Sequence, residues 1–144
     1  MQVRHILQDK GRDVFVIAHG ATMGEAVQLL AERRIGAVIV KNAEGALAGI
    51  LSERDVVRAV AADGSVALSR SVSAYMTKNV TTCREADLVE DLMEVMTNGR
   101  FRHVPVLDDE RALCGLISIG DVVKTRIAET LNEANSLREY ISAA

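Results

Sequence analysis

Short runs of consecutive apolar residues alternate along this chain with longer stretches in which apolar residues return every three to four positions. Val14-Phe15-Val16-Ile17 is a run of the first kind and predicts a strand. From Met23 to Arg34 the apolar positions are Met23, Ala26, Val27, Leu30 and Ala31, the spacing of a helix with one buried face. Gly20-Ala21-Thr22 forms the turn between them, with Thr22 placed to cap the helix. Ala37-Val38-Ile39-Val40 predicts a second strand. Lys41-Asn42-Ala43-Glu44-Gly45 predicts a hairpin turn, with Gly45 available for positive φ. Leu47–Leu51 reads as a third strand, after which Ser52 caps a helix expected to run to about Ala62. The order is β-α-β-β-α.

The same pattern returns 66 residues later. Leu47-Ala48-Gly49-Ile50-Leu51-Ser52-Glu53-Arg54-Asp55-Val56-Val57 aligns with Leu113-Cys114-Gly115-Leu116-Ile117-Ser118-Ile119-Gly120-Asp121-Val122-Val123. Without a gap, Val14–Val60 against Val80–Arg126 gives 12 identities in 47 pairs, concentrated at strand and turn positions, so the chain is an internal duplication. In the second copy Val80–Cys83 predicts a strand. Asp87–Asn98 predicts a helix, with Asp87 as cap and Glu90 completing a capping box. Val104–Leu107 and Ala112–Ile117 predict strands around an Asp108–Arg111 turn, and Ser118 caps the last helix. Pro105, the single proline, points to an edge or bulge position.

Ala61–Ser73 reads as a polar, small-residue linker, and Val3–Gln8 as a short helix leading into the first copy. Thr125–Ile141 is a long helical stretch in which Ile127, Leu131, Leu137 and Ile141 mix with Glu129, Glu133, Arg138 and Glu139. It either packs on its own fold or contacts a partner. The division expected is a first repeat over 3–62, a linker over 63–75, a second repeat over 76–127 and a C-terminal helix over 128–144.

Composition narrows the function classes. With 144 residues and 49% hydrophobic content the chain can bury a core. Aromatics at 3% and no Trp argue against single-stranded nucleic-acid binding by stacking. A net charge of −3 offers no basic excess for nucleic acid or an anionic membrane. No apolar run reaches membrane-spanning length, and the N-terminus opens no apolar signal core, so a cytoplasmic protein is expected. Cys83 and Cys114 have no metal-ligand spacing and read as small buried hydrophobes, with a redox pair as the lesser reading. His5, His19 and His103 are scattered, so no metal site is expected.

The residues that could carry chemistry lie at matching turns. Ser52-Glu53-Arg54-Asp55 and Ser118-Ile119-Gly120-Asp121 both stand where a strand passes into a helix, whose free N–H groups and partial positive charge suit a phosphate. The Asp of such a turn can accept two hydrogen bonds from a vicinal diol. The plainer reading is helix capping by Ser and Asp. A second group is Arg100-Phe101-Arg102-His103, with three basic side chains in four residues at a strand entry. It is opposed in the first copy by Arg34-Ile35-Gly36-Ala37, whose small Gly36 and Ala37 would let a flat base approach the backbone. Arg34 and Arg100 read first as solvated helix-end arginines, and a satisfied, partly buried histidine is the lesser reading of His103.

The duplicated unit, with its GILSERD and GLISIGD turns and the RFRHVPV strand entry, resembles a tandem pair of CBS domains, or Bateman module, over residues 3–135. It is similar to the stand-alone CBS-pair proteins of bacteria and plant organelles. The resemblance implies an α+β fold of two β-α-β-β-α repeats packed with pseudo-twofold symmetry. It also implies clefts between them for adenosine-containing ligands: AMP, ADP, ATP, NAD(H) or S-adenosylmethionine. Carried over residue by residue, one cleft would use Asp121, Ser118 and Gly120, with Val14, Phe15, Ile35, Gly36 and Ala37 around the base and Arg102 and His103 at the phosphate. The other would use Asp55, Ser52 and Arg54, with Val80, Thr81, Phe101, Arg102 and His103 around the base. Arg54, Arg100 and Arg102 bring NAD(H) into consideration. The copies depart from symmetry, since Arg54 corresponds to Gly120 and Gly36-Ala37 to Arg102-His103, so the two clefts are expected to bind unequally or one to stay empty.

The resemblance implies a regulatory module with no catalytic residues and no catalytic cofactor, which forms a homodimer and signals nucleotide occupancy to a regulated protein. No P-loop lysine, HExxH or carboxylate cluster accompanies Asp55 and Asp121, which argues against a nucleotide-hydrolysing enzyme. A ligand-free adaptor is the alternative from the binding side, and nucleic acid is not an expected partner.

Overall fold

The computed structural model describes residues 1–143. The chain divides into two compact units, one formed by Asp13–Thr81 and the other by Met1–Arg12 together with the chain from Thr82 onward.

The Asp13–Thr81 unit holds β1 (Val16–Ala18), α2 (Met23–Arg33), β2 (Ala37–Lys41), β3 (Leu47–Ser52) and α3 (Glu53–Asp63). Its sheet has the order β1-β2-β3, with β1 parallel and β3 antiparallel to β2. Thr22 caps α2 as expected: its hydroxyl accepts from the Glu25 amide, and the Glu25 carboxylate accepts from the Thr22 amide. The first strand is shorter than expected and begins at Val16, although the Phe15 carbonyl still accepts from the Ile39 amide at 3.0 Å. Met23, Ala26 and Leu30 of α2 pack with Val38, Val40, Leu51 and Ala59.

The stretch read as a polar linker is built into this unit. It forms two short 3-10 turns, Gly64–Ser69 and Val72–Ala74, and fully buries Ala67 and Val72 in the same core. Beyond them Thr77 and Ile50 exchange backbone hydrogen bonds of 2.9 and 3.0 Å. Gly49 is needed there, because a Cβ would stand 2.6 Å from the Thr77 carbonyl oxygen.

The other unit holds α1 (Val3–Lys10), β4 (Cys83–Arg84), α4 (Val89–Gly99), β5 (His103–Leu107), β6 (Leu113–Ser118) and α5 (Ile119–Ala143). The order β4-β5-β6 repeats the parallel–antiparallel scheme. Val3, Ile6 and Leu7 of α1 are buried with Val89, Leu92, Met96, Val104 and Ile117. The N-terminal helix, read as leading into the first copy, therefore completes the core around the second. Gly115 makes room for it, since a Cβ there would meet the Leu7 side chain at 2.6 Å.

Three local expectations change in this unit. The cap of α4 is Leu88 and has no side-chain cap bond, because the Asp87 carboxylate instead accepts from the Arg84 amide at 2.8 Å. The Met1 carbonyl accepts the Val89 amide in its place. β4 is only two residues long, so Val80 and Thr81 lie outside it. Pro105 sits in the central strand, but at a place β4 does not reach: β4 pairs with Val106 and Leu107 only. Among the described residues no helix is long and apolar enough to cross a membrane.

Candidate ligand-binding turns

Each unit joins its second-strand entry to its strand-to-helix turn through the backbone. In the first, Ala37 lies opposite Ser52 in the ladder and the Glu53 amide donates to the Gly36 carbonyl at 3.0 Å. In the second, His103 lies opposite Ser118 and the Ile119 amide donates to the Arg102 carbonyl at 2.8 Å. The structure thus brings Gly36, Ala37, Ser52, Arg54 and Asp55 together in one unit, and Arg102, His103, Ser118, Gly120 and Asp121 in the other. Phe15 and β2 belong to the first group's unit.

Both turns are capping boxes. The Ser52 hydroxyl accepts from the Asp55 amide at 3.3 Å, and Asp55 Oδ2 accepts from the Ser52 amide at 2.9 Å. The Ser118 hydroxyl accepts from the Asp121 amide at 3.2 Å, and Asp121 Oδ2 accepts from the Ser118 amide at 2.8 Å. Capping and ligand binding are compatible here. Capping engages one carboxylate oxygen and fixes the rotamer, which aims the other oxygen. Asp55 Oδ1 takes only a long contact from the Thr77 hydroxyl, at 3.5 Å.

Asp121 carries a contact that Asp55 lacks. Lys10, from the last turn of α1, places its ammonium 2.7 Å from Asp121 Oδ2 and also donates to the Leu116 carbonyl at 2.9 Å. Burial pushes the Asp121 carboxyl up, but the Lys10 hydrogen bond and the Ser118 amide outweigh it, so its pKa lies below the usual carboxylate value. Sequence reasoning missed Lys10. It lies 111 positions from Asp121, and no local pattern marks it.

The other candidates differ in setting. Ala37 is buried; Val14, Ile35, Gly36, Ser52, Asp55, Val80, Phe101, His103, Ser118 and Asp121 are half-buried; Arg54, Thr81, Arg102 and Gly120 are exposed. Phe15 is 36% exposed, and the Arg33 guanidinium stands 5.3 Å from its ring centroid. Val80 and Thr81 are not paired with β5 and fall at the end of the first unit. Arg34 and Arg100 both take left-handed backbone, with φ of 53° and 56°, at the C-terminal ends of α2 and α4. A residue with a Cβ is strained there, and the strain recurs at matching places in both copies. At Gly99, before Arg100, a Cβ would stand 2.0 Å from the Phe101 ring, so a larger residue there would displace that ring.

Cys83 is buried in the core and Cys114 half-buried, both as free thiols. Burial, with the Asp87 charge second, pushes the Cys83 thiol up to about 12. Among the described residues no cluster of His, Cys, Asp and Glu could hold a metal ion.

The sequence pattern of the CBS domain matches twice, over residues 3–62 and 72–128. The chain belongs to the CBS-domain family. It is a tandem CBS pair of mixed α/β structure. It is similar to a CBS-domain containing protein from Agrobacterium tumefaciens, whose crystal structure is 50% identical, covers 87% of this chain and 92% of that one, and superposes with a TM-score of 0.84. It is also similar to the mitochondrial CBS domain-containing protein CBSX3 of Arabidopsis thaliana, 38% identical over 125 residues, which are 83% of this chain and 60% of that protein. A third match is the CBS domain pair of protein MJ0100, solved in complex with 5′-methylthioadenosine and S-adenosyl-L-methionine. That pair is 25% identical with a TM-score of 0.78 and covers 90% of this chain and 98% of that chain.

Proposed function

We propose that this CBS pair is a regulatory module that binds an adenosine-containing ligand and has no catalysis of its own. The observation that carries the reading is the pair of capped S-x-x-D turns, each hydrogen-bonded to a strand entry that differs in charge between the copies. Asp121 accepts the ribose hydroxyls, while Arg102 and His103, held beside it by the Ile119–Arg102 backbone bond, meet the phosphate. In the first unit the half-buried Gly36, joined to the Ser52–Asp55 turn, and the exposed Phe15 offer apolar surface suited to a base. The adenosine ligands of the MJ0100 pair support this choice of chemistry. AMP, ATP and NAD(H) are the candidate ligands. The wider proposal is an energy or redox sensor, a cytoplasmic homodimer that signals to a regulated protein.

A second reading is an adaptor that binds no nucleotide. It draws on the Lys10 ammonium, which already occupies the Asp121 carboxylate. Thermal unfolding with AMP, ATP, NAD+, NADH, S-adenosylmethionine and adenosine in parallel separates the two. A ligand at 100 times its dissociation constant stabilises by about 2.7 kcal/mol, a shift of roughly 5–10 °C at this size. Asp121→Ala should weaken binding by about 1–3 kcal/mol. Arg102→Ala should weaken AMP and spare adenosine. No shift with any ligand, from nucleotide-free protein, establishes the adaptor.

A further inference from the structure

Helix α5 continues well beyond the core it caps. Val122 is its fully buried residue, and from Thr130 to Ala143 every residue is exposed. A helical segment of this length is marginal in water by itself, so its stability calls for a covering surface. The side chains indicate which one. Val123, Ile127, Thr130, Ala134, Leu137 and Ile141 follow one another at steps of four and three, the alternation of a coiled-coil seam. Ile127, Leu137 and Ile141 are 56%, 60% and 65% exposed. The isoleucines share one seam register and Leu137 the other, the combination that favours two parallel strands. Leu131 and Tyr140, both exposed, widen the apolar band on its flanks.

Charge selects the orientation. Glu133 precedes the Ala134 seam position and Arg138 follows the Leu137 position, five residues apart. In a parallel pair these flanking positions meet across the seam, so Glu133 of each copy faces Arg138 of the other, twice by symmetry. An antiparallel pair brings like flanks together and forfeits both contacts. We propose that the C-terminal half of α5 pairs in parallel with the same helix of a second copy of this chain. This rests on the homodimer reading and adds its interface; the nucleotide reading is independent of it.

The test uses the full chain and light scattering coupled to size exclusion, with unfolding midpoints checking that each variant folds. The wild type should run at twice 15.6 kDa. Leu137→Glu with Ile141→Glu should leave only monomer, which still unfolds cooperatively at a midpoint lowered by no more than the lost dimer linkage. Glu133→Arg and Arg138→Glu should each weaken the dimer about five- to tenfold, and the two together should restore it. Ile141→Cys should yield a disulfide-linked dimer on oxidation, because parallel helices bring equal positions together. A dimer of unchanged affinity after Leu137→Glu with Ile141→Glu overturns the interface while the homodimer reading survives. A monomeric wild type overturns both. Charge reversals without mutual rescue, or an Ile141→Cys chain that does not cross-link, overturn the parallel arrangement.

Discussion

In the first unit Ile39 donates its amide to the Phe15 carbonyl; 66 positions on stands Pro105, which has no amide to give. The first strand of the second copy accordingly shrinks to Cys83–Arg84, and Thr81, the counterpart of Phe15, leaves the sheet. The same comparison can be made elsewhere. Gly45 takes positive φ in the first hairpin, whereas Arg111 takes it in the second, at 61°. Met76 and Thr77 cover β3 in one unit, and α1 covers β6 in the other, with Lys10 aligned to Met76. The copies agree where the backbone must turn and cap, at Ser52–Asp55 and Ser118–Asp121. They differ at single positions such as Ile39 and Pro105, and where a segment from outside the repeat lies against them. Duplicated folds keep what local geometry requires and diverge at surfaces that local geometry leaves open.

The sharpest way to break this comparison is at the paired glycines. Gly49→Ala drives a Cβ into the Thr77 carbonyl, which the ladder holds in place, and should cost about 2–3 kcal/mol. Gly115→Ala meets only the end of the flexible Leu7 side chain and should cost about 1 kcal/mol. Urea unfolding measures both; equal losses would mean that the two coverings are equally rigid. Next comes the left-handed arginine. Arg111→Gly should stabilise by about 1 kcal/mol by removing a strained Cβ at a hairpin with no part in the candidate site. Arg100→Gly should gain similarly in stability, and if its strain is retained for function it should lose nucleotide affinity while Arg111→Gly does not.

The smallest effect concerns Lys10, whose replacement by Met makes the second unit resemble the first. Asp121 has a depressed pKa in the folded chain, so its ion pair adds stability above the unfolded carboxylate value. That stability is lost as pH falls through the folded value. Lys10→Met should therefore be less stable by about 0.5–1 kcal/mol at neutral pH, given the partial exposure of both groups. The gap should narrow as pH falls below the ordinary carboxylate value and close once it has passed below the folded Asp121 value. An undiminished gap at that pH would assign the loss to Lys10 packing instead of charge.

The periodicity and the repeat make most elements legible in the sequence: α2, β2, β3, β5 and β6 lie where apolar spacing places them, and Thr22, Ser52 and Ser118 cap as their types dictate. Asp87 does not cap α4: its carboxylate accepts from the Arg84 amide, and the Met1 carbonyl accepts from the Val89 amide. The linker reading of Ala61–Ser73 came from small, polar composition, which does not record that Ala67 and Val72 enter a core. Local sequence determined the Ser52 and Ser118 capping turns, the Thr22 cap and the positive φ of Gly45, because those energies arise within a few residues. Tertiary structure alone decided that α1 completes the second copy's core and that Lys10 reaches Asp121. Those contacts join residues far apart in the chain, and burial of a shared apolar face sets them without any local periodicity to announce it.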